Sequence, residues 1–100
     1  MDLEYFKDHI AEELDGACDY IRRAIEIKPM EMAWASHFVE MSAQELNHAQ
    51  RLFTMFNEYC TILGNNYPNL PDYIKHTREE VVANYTEMTA KIKHMQESYK

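Results

Sequence analysis

Glu45 and His48 stand three residues apart in the middle of a long periodic segment, and Glu13 stands on the segment before it. Carboxylate oxygens and an imidazole nitrogen are donors that together suit a divalent transition metal. Their phase matters as much as their type. Met30, Trp34, His37, Met41, Glu45, His48, Leu52, Met55, Tyr59 and Ile62 follow one another at steps of three or four, the period of one helical face. A carboxylate and an imidazole thus lie on a stripe expected to face inward. An unpartnered charge is costly there, so such groups are paired, protonated or bound to metal.

Residues i and i+3 share a helical face, so Glu45 and His48 can ligate one ion while Glu13 reaches it from the neighbouring helix. Glu13 lies fifteen residues before Lys28 and Glu45 sixteen after Pro29, which puts them at nearly the same height on a hairpin. Two such hairpins about a twofold axis would supply four carboxylates and two imidazoles, the ligand set of a di-metal centre in a four-helix bundle. Four negative charges balance two divalent ions. Iron or manganese suits these donors, with zinc as an adventitious occupant. With five His and seventeen acidic residues, twelve of them Glu, a Glu-x-x-His arises about 0.6 times by chance, so phase and height carry the reading. The alternative is a core His48 hydrogen-bonded to Glu45, with Glu13 tilted to the surface beside Leu14.

The elements that must position these groups are helices. Two glycines and three prolines separate long periodic stretches, an all-α signature. The spacing predicts helices over about residues 2–27, 29–63 and 72–99 of one domain, 1–100. On the first, Leu3, Phe6, Ile10, Glu13, Ala17, Tyr20, Ala24 and Ile27 share a face. Pro29 suits the first position of the second helix and Gly64 the position after its end. On the third, Ile74, Arg78, Val81, Tyr85, Met88, Ile92, Met95 and Tyr99 repeat at helical spacing. Short connections make the three antiparallel, with a long hairpin first.

Ten Lys plus Arg against seventeen Asp plus Glu leave a net charge of -7, which repels phosphate backbones and anionic headgroups. Neither nucleic acid nor a membrane is an expected partner. No apolar run approaches the roughly 20 residues of a membrane span and no leader-like segment follows Met1, so a soluble, cytoplasmic protein is expected. Cys18 and Cys60 are isolated and read as buried free thiols, without the paired spacing of a zinc ribbon or redox dithiol.

Phe38-Val39-Glu40-Met41-Ser42-Ala43-Gln44-Glu45-Leu46-Asn47-His48-Ala49-Gln50-Arg51-Leu52-Phe53 resembles the second helix of rubrerythrins and related ferritin-like proteins. Glu13 followed seven residues later by Tyr20 is similar to the first helix of that family. The resemblance spans about half the chain, Glu13 to Phe53. It implies Glu13 as a bridging or terminal carboxylate, Glu45 as the second carboxylate, His48 as the terminal imidazole, and Tyr20 as a hydrogen-bond partner orienting a ligand. An ordinary core tyrosine is the other reading of Tyr20. It further implies a homodimer or higher homo-oligomer holding two irons per dimer, and oxidation of Fe(II) by dioxygen or peroxide, a ferroxidase- or peroxidase-type activity.

The departures are specific. Helix 3 has no inward carboxylate, Asn84 stands before Tyr85-Thr86-Glu87-Met88 where a ligating Glu is expected, and no fourth helix follows. The layout is more similar to half-size, encapsulated-ferritin-like proteins, in which two subunits build one site. No cage-targeting tail is recognisable in Met95-Gln96-Glu97-Ser98-Tyr99-Lys100, so an encapsulating cage has no support as a partner. The missing helix 3 ligand also motivates a domain that keeps the fold and has lost the metal. From another class comes a small acidic helical interaction protein, metal-free, binding a protein through a Met- and Tyr-rich face.

Remaining polar residues have lesser roles. His37 reads as a core histidine or a ligand on an access path; His9, His76 and His94 read as surface residues. Glu12, Asp19 and Glu40 either guide cations or keep the surface solvated. The seven methionines and Trp34 belong to a core or dimer interface.

Overall fold

Asp2 starts the first helix: its carboxylate accepts a hydrogen bond from the Tyr5 N–H at 3.0 Å and satisfies one of the orphan donors of the first turn. In the computed structural model, which describes residues 2–100, three helices follow, α1 (Leu3–Ile27), α2 (Met32–Asn66) and α3 (Asp72–Tyr99), with no strand among the described residues. The all-helical expectation therefore holds.

Two helix boundaries differ from the sequence reading, both because of proline. Pro29 does not open α2. It lacks the N–H that would continue the α1 ladder, and the amides of Met30 and Glu31 instead return to the Ile27 carbonyl at 2.9 and 2.7 Å, so α2 starts after Glu31. Gly64 does not end α2 either. The helix runs on to Asn66, no residue among those described has a left-handed backbone, and Tyr67 is forced extended (φ -134°, ψ 83°) by Pro68 after it. α3 covers the expected residues, with Asp72 in its first turn facing the positive end of the helix dipole.

The helices run up, down, up, and α1 packs along both others. Lys7 near the start of α1 meets Glu80 of α3 at 2.9 Å. At the far end Lys28 donates to the Tyr99 carbonyl and lies 4.4 Å over its ring, a cation at the negative end of α3. Extents of 56 × 19 × 16 Å and a radius of gyration of 16.1 Å exceed the about 13 Å of a compact hundred-residue domain. The molecule is a rod.

The stripe facing the core is the main correction. On α2 the buried residues are Ala35, Ser42, Leu46, Ala49, Phe56 and Cys60. Each follows by one position a residue of the bulky stripe, Trp34, Met41, Glu45, His48, Met55 and Tyr59. One residue is a rotation of about 100°. Ala35, Ser42 and Ala49 let α2 approach α1 closely, whereas a seam of Trp and Met would hold the helices apart. On α1, Leu14 and Ile21 are fully buried where Glu13 and Tyr20 were expected, and those two are half-buried. Ser42 ties the three helices together: its hydroxyl donates to the Ala17 carbonyl at 2.7 Å and accepts from Gln96 at 3.2 Å. Otherwise α2 and α3 meet chiefly through Phe53 stacked on Tyr85, centroids 3.8 Å apart.

Candidate metal centre

The rotation of the α2 stripe, with Glu13 half-buried on an α1 face whose Leu3, Phe6, Ile10, Ala17 and Ala24 are buried as expected, leaves Glu13, Glu45 and His48 at the edge of the α1–α2 seam. Glu13 and Glu45 are half-buried and His48 exposed, yet one donor atom from each lies within 4.8 Å of the other two. Leu46 and Ala49, buried beside them on α2, anchor the turn that holds Glu45 and His48 one above the other. The expected height match is met: Glu13 Oε2 is 3.6 Å from His48 Nδ1.

Glu13 Oε2 is buried and takes no hydrogen bond among the described residues. That oxygen is withdrawn from water with His48 Nδ1 as its near neighbour at 3.6 Å, a setting that a cation or a shared proton would suit. Glu45 responds to it. Its carboxyl is held above the usual range, first because its protonated form can donate to Glu13, then by burial and by the repulsion of the Glu13 charge, with His48 pulling the other way.

Gly16 was missed as part of this site. It lies one turn after Glu13 on α1, and a Cβ built there would be 3.3 Å from Glu45 Oε2. A glycine inside a helix weakens it by roughly 0.5–1 kcal/mol relative to alanine, and that alone marked the position in the sequence. Tyr5, His9, Arg51 and Leu52 join Glu13 and His48 around an adjoining cavity of about 290 Å³. All its lining residues come from α1 and α2.

Tyr20 stacks on Phe38, centroids 6.0 Å apart, and makes no side-chain hydrogen bond to Glu13 or Glu45 among the described residues. His37 is exposed, not a core histidine. α3 contributes none of the three donors. Asn84 lines a separate cleft with Lys7, Ala11 and Glu80, on the α1–α3 side of the rod. Cys18 and Cys60 are free and buried, as expected.

No helix among the described residues is long and apolar enough to cross a membrane. The chain matches no protein-family model, no curated protein and no solved structure.

Proposed function

We propose that this chain is a ferritin-like iron-binding protein whose Glu13, Glu45 and His48, doubled across a homodimer, hold two irons and support oxidation of Fe(II) by dioxygen or peroxide. The carrying observation is the buried Glu13 Oε2, which accepts no hydrogen bond, in a cluster of donors within 4.8 Å. Oxygen donors with one imidazole suit iron or manganese better than soft-ligand metals. Bound iron would supply one electron per ion, two together reducing dioxygen to hydrogen peroxide or peroxide to water. The chain's own residues would supply charge and access: Glu13 and Glu45 neutralise the ions, and Arg51 and His9 border the adjoining cavity.

The dimer rests on the displaced stripe of α2. Trp34, Met41, His48, Met55 and Ile62 recur every seven residues, the repeat of a helix–helix seam, and Trp34, Met55 and Ile62 remain 65%, 45% and 54% exposed. The seam passes through the site. A second copy laid along it would bring its own Glu13, Glu45 and His48 opposite the first.

Native mass spectrometry of the protein titrated anaerobically with Fe(II), beside a Glu45→Ala, His48→Ala double variant, tests the reading. Two irons per dimer, lost in the variant, is the expected result. A species indifferent to iron sinks it. In that event the exposed Met30, Met32 and Trp34 at the hairpin tip favour the second reading, a metal-free acidic helical protein that docks a protein partner. Glu13→Ala with His48→Ala would then leave that interaction intact.

A further inference from the structure

The C-terminal half of α2 and the N-terminal half of α3 approach each other at few points, because each packs mainly on α1. The gap is a cavity of about 620 Å³, closed at one end by Leu70 of the connecting loop. That volume is in the about 300–1,000 Å³ range of small-molecule sites. Ile74, Val82 and Ala83 give it apolar walls, and the buried Cys60 belongs to its lining.

The charges around it run against the character of the chain. In a protein of net charge -7, Lys75 and Arg78 both border this one cavity. Neither has a carboxylate within ion-pairing distance among the described residues. Glu79 also borders it, facing His76 at 3.9 Å, so the cavity carries two cations against one anion. Arg78 is close enough to Cys60 to favour its thiolate, while burial pushes the thiol up more strongly.

We propose that the α2–α3 groove binds an amphipathic monoanion, a medium-chain carboxylate whose alkyl chain lies on Leu70, Ile74 and Val82 and whose head meets Arg78 and Lys75. A single negative charge matches the local balance, and two unpaired cations give charge-assisted hydrogen bonds to one carboxylate. The groove and the metal cluster share no residue, so both can be filled together and the two proposals stand or fall separately.

Decanoate is the probe, with decanol and decyltrimethylammonium as uncharged and cationic controls. Binding is measured by titration calorimetry, and its place by iodoacetamide labelling of Cys60 read by peptide mass spectrometry. Cys18, buried elsewhere in the core, reports any general tightening of the fold. Decanoate should slow Cys60 labelling and leave Cys18 unchanged, and Arg78→Gln should weaken decanoate about tenfold while sparing decanol. Arg78 is exposed, so that variant keeps its fold. The proposal is overturned if decanoate gives no heat, protects both thiols alike, binds Arg78→Gln equally, or binds no better than the cationic control. It is also overturned if Cys60 becomes protected with rising protein concentration alone, which would make a second copy the occupant.

Discussion

A methyl group on Gly16 of α1 would sit 3.3 Å from Oε2 of Glu45 on α2. The space left by one missing carbon is where the Glu45 carboxylate rests, and Gly16 therefore couples helix stability to the geometry of the cluster. Gly16→Ala should stabilise the metal-free protein by about 0.5–1 kcal/mol through helix propensity. It should also weaken Fe(II) or Mn(II) binding about tenfold, since Glu45 must give way. Urea melts and metal titrations of the one variant read both effects. Unchanged metal affinity would remove Gly16 from the site.

Glu45→Gln should stabilise the metal-free protein at neutral pH by about 1 kcal/mol, because the amide can donate to the buried Glu13 Oε2, which accepts no hydrogen bond. The pH dependence has a definite sign. Glu45 titrates above its ordinary range in the fold, so its native state holds the proton more tightly than the unfolded chain does. Its contribution is full below the unfolded carboxylate pKa and is lost as pH rises through the raised native value. The advantage of Gln over Glu should accordingly vanish in acid, where Glu45 is protonated too. Denaturant melts of both proteins between acid and neutral pH measure it; a difference independent of pH would mean the two carboxylates do not share a proton.

Metal should reverse that repulsion. At a free Fe(II) concentration of a hundred times its Kd, linkage adds about 2.7 kcal/mol to stability. In a domain of this size that raises the melting temperature by about 10 °C or more. Anaerobic thermal melts with and without Fe(II) provide the check, and equal melting temperatures would argue strongly against the centre.

Ser42→Ala should cost about 1 to 2 kcal/mol, because it removes the hydrogen bonds to the Ala17 carbonyl and from Gln96 that join the three helices. Metal stoichiometry should be unchanged, since Ser42 touches none of Glu13, Glu45 or His48. Loss of metal in this variant would show that the α1–α2 approach, not the donors alone, sets the site.

Helix existence was legible in the sequence because it depends on local chemistry. Pro29 and Pro68 flank α2 through the missing N–H and the restricted residue before it, yet the expected span 29–63 missed the observed Met32–Asn66 by three residues at each end. Gly64 misled because glycine permits a helix stop without requiring one. The juxtaposition of Glu45 and His48 was equally local, a consequence of 3.6 residues per turn. The match in height with Glu13 needed only a tight hairpin.

Phase was another matter. Trp34, Met41 and Met55 look like core by hydrophobicity, yet Ala35, Ser42 and Ala49 are what α1 touches. By itself the sequence determined three helices, their order and the level at which two carboxylates and an imidazole meet. Only the tertiary structure decided that the bulky stripe is displaced from the seam, leaving Trp34 and Met55 exposed, and that Glu13 Oε2 is buried without accepting a hydrogen bond. It also decided that α2 and α3 stand apart around Cys60. Periodicity records which residues share a face, whereas the distance between helix axes, fixed by the smallest side chains at each crossing, selects which face is inside.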